Sequence, residues 1–410
     1  MTAQDRLAGA VRLSGGRILS ALATRFRDLD LAEEAFGFAC VSAVEAWQVQ
    51  GSPRDPAAWL YAAARRRALD LTRRAKVRSA HRPDSPPPQA TPEELAIAAS
   101  EPIPDERLRL IFTCCHPALA AEARIALTLR VICGLSVARL ARAFLTTEIA
   151  MTQRLTRAKQ KIAAAKIPFV VPDPEAWSER LSAVLAAVEI AYAQAYEDGA
   201  GTGETSELAG ETLRLSRLLC DLMPHEPEVL GLAATIRLAE ARRSSRVDSA
   251  GRMVPLADQD PRLWDETLLG EAVDLLQRAA EIGRTGPQQL IAAIHAAHAS
   301  RKETRTTPWT SILTLYDSLV VMRPSPIAEV NRAIALSQVH GAAQGLSALY
   351  AANADGRMHD FAPFHVAHAA LAEQGGLRQD AILALNRSLD LVNTAAERDH
   401  LIRWLSFLSG

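Results

Sequence analysis

The stretch GLSVARLARAFLTTEIAMTQRLTRAKQKI, residues 134–162, decides how this chain is read. It holds two helical patterns around a short polar break. In the first, Val137, Leu140, Ala141 and Phe144 share one face. In the second, Met151, Leu155, Ala158 and Ile162 recur at intervals of four, three and four. Thr146 or Thr147 is placed to cap the second helix, and Glu148 sits in its first turn, where negative charge is favoured. Such packing leaves Thr152, Gln153, Arg154, Thr156 and Arg157 outward. The pattern predicts a helix-turn-helix whose second helix suits a DNA major groove.

Working outward, long 3.6-residue periodicity recurs along all 410 residues and convincing strand pairs do not, so the fold class is all-α. The net charge of −1 hides an asymmetry. Residues 1–170 carry 25 Lys and Arg against 16 Asp and Glu, and residues 171–410 carry 21 against 31. A basic front half points to a nucleic-acid partner, and an acidic back half is suited to docking or shielding basic surfaces. There is no leader pattern and no apolar run of membrane-spanning length, so a cytoplasmic protein without a membrane partner is expected. Five cysteines without a paired framework fit a reducing compartment.

Composition shifts divide the chain into four parts. Residues 1–80 form a helical unit ending in the basic segment PAAWLYAAARRRALDLTRRAKVR. Residues 81–104 contain seven prolines and read as a semi-rigid linker. Residues 105–170 carry the helix-turn-helix, and residues 171–410 form a larger helical extension. A shift of 34 residues lays Ala333 on Ala367, Ala335 on Ala369 and Gly341 on Gly375, the period of a tetratricopeptide (TPR)-type solenoid.

A basic helical unit, a tether and a helix-turn-helix unit, in that order, resemble the core of extracytoplasmic-function (ECF) RNA polymerase sigma factors. DLAEEAFGFACVSAVEAW (30–47) and DPAAWLYAAARRRALDLTRR (55–74) stand where that family has region 2, and residues 105–166 resemble region 4. DERLRLIFTCCHPAL (105–119), MPHEPEVLGLAA (223–234), VDSAGRMVPLADQDPRLWD (247–265), GPQQLIAAIHAAHA (286–299) and DGRM (355–358) are similar to signatures of the subgroup with a C-terminal TPR-like extension. The resemblance implies a sigma region 2 bundle at 1–80, region 4 at 105–170 and a TPR-like extension at 171–410. Its partners would be core RNA polymerase and promoter DNA, with a protein partner for the extension. No cofactor, no metal and no catalytic residue are implied.

The roles follow residue by residue. Region 4 would read the −35 element with Ala150, Thr152, Gln153 and Arg154, and hold phosphates with Arg139, Arg142, Arg157 and Lys161. Region 2 would hold the melted −10 strand with Arg65, Arg66, Arg67, Arg73 and Arg74, with Tyr61 stacking on a base. Asp30, Glu33, Glu34 and Trp47 would face the polymerase, with the two glutamates exposed. Asp355, Gly356, Arg357 and Met358 are candidates for a regulatory element or, equally, a structural turn. The extension would pack on the basic half and set its activity. The sequence departs from the family at Gly37, Phe38 and Arg66, where polymerase or melted DNA would be touched, and in the segment 187–199.

Other chemistry finds little support. Cys114 and Cys115 point about 100° apart on a helix and lack a second ligand pair. His295/His298 and His365/His368 lack a carboxylate partner. There is no phosphate-binding loop, dinucleotide fingerprint or serine elbow. The competing readings are a one-component regulator with a TPR-like sensor and a TPR scaffold.

Overall fold

The computed structural model describes residues 3–79, 103, 105–144, 146–197, 204–392 and 395–409. The proline-rich linker lies almost wholly outside them. The described residues are mainly helical, with a lone antiparallel bridge among them between Val247 and Met253. The chain divides into two compact units, Met1–Ala191 and Tyr192–Gly410.

Unit 1 starts with three helices, α1 (Ala3–Phe26), α2 (Leu29–Gln50) and α3 (Pro56–Ser79), each packed on the other two. Asp28 and Asp55 begin α2 and α3 by accepting from the amides of Leu31 and Ala58, both at 3.0 Å. Ile18, Leu22, Ala35, Leu60 and Ala64 are fully buried between them. Helices α4 (Arg107–Cys114), α5 (Ala121–Val131), α6 (Val137–Ala143) and α7 (Glu148–Ala164) follow. Helix α4 is buried from Leu110 through Cys114. Such burial on every side is beyond an amphipathic stripe, and α1, α5 and the start of α8 (Pro174–Glu197) supply it. Trp177 of α8 packs on Phe112 with ring centroids 5.3 Å apart, and Arg180 donates to the Phe112 carbonyl at 2.5 Å. The first compact unit therefore runs about twenty residues past the expected boundary at 170, because those two side chains close the α4 core.

The two parts of unit 1 that flank the linker touch directly. Helix α1 packs on α4 and α5. A Cβ built on Gly16 would lie 2.3 Å from the carbonyl oxygen of Ile132, so only glycine permits this approach. Arg17 donates to the carbonyl of Ile103.

Unit 2 is a succession of helices: α9 (Glu204–Leu222), α10 (Pro227–Ala241), α11 (Glu266–Glu281), α12 (Pro287–Ala299), the single turn α13 (Arg301–Thr304), α14 (Trp309–Met322), α15 (Pro326–His340), α16 (Ala342–Ala352), α17 (Ala362–Gln374), α18 (Arg378–Leu391) and α19 (Ala395–Ser409); sequence neighbours pack on one another except after α13, where α12 packs on α14 directly. Small residues set the spacing. Ala333, Ala335, Ala367 and Ala369, two of the three pairs aligned by the 34-residue shift, are all buried, whereas Gly341 and Gly375 are exposed.

Sequence signatures in this unit become packing devices. Gly231 of α10 faces the start of α12 so closely that a Cβ would meet the Gln289 nitrogen at 2.7 Å. One turn earlier, Glu228 accepts from the backbone of Gln288 at 3.0 Å, so a carboxylate from α10 caps α12. The segment 247–265 is a loop of short turns. Asp248 accepts from the amides of Ala250 and Arg252, and Trp264 is buried with its indole donating to Ser245 at 2.9 Å. The buried guanidinium of Arg237 is satisfied by Glu271 at 2.7 Å, Ser216 and the Ala233 carbonyl.

Residues 355–358 lie in a turn. Gly356 has φ of 75°, a left-handed conformation. Asn353 accepts from the Met358 amide at 2.7 Å, and Arg357 pairs with Glu329. Met358 is fully buried among Val330, Leu346, Leu349 and Phe364. Its side chain is core and presents no docking surface, while Asp355 stays exposed.

Met358→Ala should therefore cost about 2–5 kcal/mol, read as a lower denaturation midpoint. Gly231→Ala should cost about 1–3 kcal/mol by overpacking. Gly210→Ala, whose Cβ meets nothing within 4 Å, should be neutral or slightly stabilising in the same unfolding experiment.

Candidate nucleic-acid interface

The helix-turn-helix is built as its spacing dictates. Thr147 caps α7 by accepting from the Ala150 amide at 3.2 Å. Met151, Leu155, Ala158 and Ile162 are buried, together with Leu140 and Ala141 of α6. At about 100° per residue, burying that stripe sends Gln153 and Arg157 to the far side of the helix and Lys161 to the edge shared with Arg154. Gln153, Arg157 and Lys161 are exposed, as are Ala150 and Thr152. They form a ridge with an amide in its first half and two cations behind it.

Arg154 lies on one flank of this ridge. Its guanidinium is 2.9 Å from Glu122 of α5 and 5.8 Å from the Phe144 ring centroid. An acidic residue and an aromatic ring thus hold the arginine expected to read a base. Glu122 gives no local signal in the sequence, because its partner is 32 positions away. Thr152 uses its hydroxyl to donate to the Glu148 carbonyl at 2.7 Å. Arg139 is half-buried, and the side chain of Arg142 lies outside the described residues.

The opposite flank carries Lys159. Its ammonium donates to Glu33 at 2.9 Å and pairs with Asp30, both on α2. Arg130 at the end of α5 reaches Glu33 at 3.3 Å. Burial lowers the proton affinity of Lys159, but bonding to the two carboxylates outweighs this and holds its pKa above the usual lysine value. Glu33, expected to be exposed, is only 21% exposed because Lys159 and Arg130 cover it. Asp30 and Glu34 remain open, and Glu34 pairs with Arg67 at 3.2 Å.

Two expected contact residues are core instead. Trp47 is 3% exposed, its ring set edge-on to Trp59 with centroids 5.6 Å apart. Tyr61 is 5% exposed. Both point into the α1–α3 bundle, where the period that placed them on α2 and α3 is satisfied by packing. On the basic helix, Arg73 is exposed and Arg65, Arg66 and Arg74 are half-buried. Arg67 is held by Glu34 and by Phe38, whose ring centroid is 4.7 Å from the guanidinium carbon. Phe38, a departure from the family pattern, thus has a structural partner. A Cβ on Gly37 would meet nothing within 4 Å.

Cys114 and Cys115 are buried, and burial raises both thiol pKa values, that of Cys115 to about 11 despite its contact with Thr128 at 3.3 Å. His295 is pushed down to about 3 by burial and by Arg242 beside it. Among the described residues no group of His, Cys, Asp or Glu forms a metal-binding cluster, and no helix is long and apolar enough to cross a membrane.

Comparison with known proteins places this geometry. Residues 109–162 match the family "Sigma-70, region 4", a span that begins in α4 and ends in α7. Residues 180–280 match a family of unknown function, DUF6596. No solved structure matches the chain. The uncharacterized protein R00370 of Rhizobium meliloti (strain 1021) is 39% identical over 400 residues, covering 95% of this chain and 93% of its own. The chain therefore belongs to one family with that protein, and its residues 109–162 carry a domain similar to sigma-70 region 4.

Proposed function

We propose that this chain is an ECF-type sigma factor with a TPR-like C-terminal extension, directing core RNA polymerase to a set of promoters. The observation that carries the reading is the ridge on α7: a region 4 helix-turn-helix whose buried stripe leaves Gln153, Arg157 and Lys161 open to a major groove. Gln153 is suited to an adenine edge and Arg154 to a guanine edge. Arg157 and Lys161 follow at one-turn intervals and serve as phosphate contacts, which fix register without reading sequence.

Region 2, residues 1–80, would hold the melted −10 strand through the arginine face of α3. Buried Tyr61 is unsuited to stacking on a base, so the strand would be held mainly by backbone charge, with Arg73 the most open cation. Asp30, Glu33 and Glu34 would form the polymerase-facing surface, with Trp47 supporting it from the core. The extension would tune activity through a protein partner. The chemistry throughout is binding and strand separation, and it needs no catalytic group.

The direct test is run-off transcription with purified core polymerase, using promoters selected by the chain itself. The full chain should support specific initiation. A chain that binds duplex DNA but never supports initiation would instead be a one-component regulator. Arg154→Ala should lose discrimination at one −35 base pair, about 1–3 kcal/mol, seen in binding to a panel of single-base variants. Arg157→Ala with Lys161→Ala should weaken binding to all of them alike and reduce the salt slope by about two. A chain ending near residue 197, which keeps Trp177 and Arg180 in place, should differ from the full chain in promoter output.

A further inference from the structure

The acidic face of α2 is already occupied. Glu33 receives Lys159 from α7 and Arg130 from α5, and Asp30 receives Lys159 as well. These cations come from after the linker and the carboxylates from before it. The two parts also meet without charge. Gly16 lets α1 approach the Ile132 carbonyl more closely than any side chain would allow. Glycine inside a helix costs roughly 0.5–1 kcal/mol relative to alanine, and the close packing at Ile132 is the compensation visible in the structure.

We infer that unit 1 is self-closed, with Lys159 and Arg130 holding the Asp30/Glu33 face that core polymerase would use, so that polymerase binding requires this contact to open. The inference rests on the proposed sigma function. It names the regulation of that same surface and the chemistry of the competitor: a cationic polymerase surface offering lysine or arginine to Asp30 and Glu33. Closure and DNA reading use different sides of α7. Lys159 lies about 80° around the helix from Met151, whereas Gln153, Arg157 and Lys161 lie about 200–280° around. The closed chain therefore keeps its −35 ridge exposed while its polymerase face is covered. It also fixes the separation of the two DNA-handling parts, which promoter engagement by both would have to adjust.

The charges are suited to a reversible contact. Lys159 is 16% exposed and Glu33 21%, so water reaches the pair without dominating it, while Asp30 at 68% is well solvated. A competing cation can enter through Asp30 and displace Lys159 stepwise.

The test uses the full chain and a zero-length carbodiimide, which joins an amine to a carboxyl group only where the two touch. Mass spectrometry should find Lys159 joined to Asp30 or Glu33 in the free chain, and the product should fall away when core polymerase is added first. Lys159→Gln removes the charge pair. Gly16→Ala forces the parts apart without changing charge, and neither residue belongs to the proposed DNA or polymerase contacts. Each should tighten binding to core polymerase on the order of tenfold, with affinity for a −35 duplex unchanged. Thermal unfolding of both variants establishes that they are folded, and either one suffices if the other is not. No crosslink in the free chain overturns the closure whatever the chain does. A crosslink undiminished in the polymerase complex, or unchanged polymerase affinity in a folded variant, overturns the autoinhibitory role. A chain that crosslinks, yet binds core polymerase in no variant, keeps the closure and overturns the sigma reading together with the role built on it.

Discussion

The constraint on which unit 1 depends is the burial of one stripe of α7. Met151, Leu155, Ala158 and Ile162 are each less than a tenth exposed, and they fix the rotation of the helix about its own axis. Everything else on the helix follows from that rotation. Arg154 falls on one flank, where Glu122 and Phe144 wait for it. Lys159 falls on the other, against α2. Gln153, Arg157 and Lys161 are left for solvent. Rotating the helix by one residue would bury Thr152 and Thr156 and expose Met151. Four apolar side chains thus sort five polar ones into three different jobs.

Local spacing explains which parts of this were legible beforehand. The stripe, the threonine cap and the outward ridge are all consequences of a 3.6-residue period and a single capping bond, and both are written within eighteen consecutive residues. The all-α class follows from the same period repeated. Trp47 and Tyr61 were misplaced because period alone does not tell an aromatic aimed at a partner from one aimed at a neighbouring helix. Each lies on an apolar face, and the α1–α3 bundle takes both. The roles of Glu122, Arg130 and Lys159 were hidden for a different reason. Lys159 and Lys161 are the same residue type two positions apart, and only the location of α2 makes one an ion-pair partner and leaves the other in water. Gly16 is a plain helical glycine until Ile132 is placed beside it.

In unit 2 the sequence signatures proved to be contact geometry. Glu228 and Gly231 work on the start of α12, so the segments 223–234 and 286–299 form one joint between helices. Met358 anchors the turn that carries Asp355 and Arg357. Ala333 and Ala335 on α15 and Ala367 and Ala369 on α17 are buried where close packing demands small side chains.

The two kinds of cation on α7 also differ in how they respond to salt. Contacts of Arg157 and Lys161 with phosphates would release condensed counterions, so their strength falls steeply with ionic strength. The Lys159–Glu33 pair releases no such ions, and at 2.9 Å and partly buried it lies well inside the screening length of about 8 Å at physiological salt. The pair and the Arg130 contact act together with the close backbone approach made possible at Gly16. Rising salt would therefore weaken the proposed phosphate contacts well before it releases the seam.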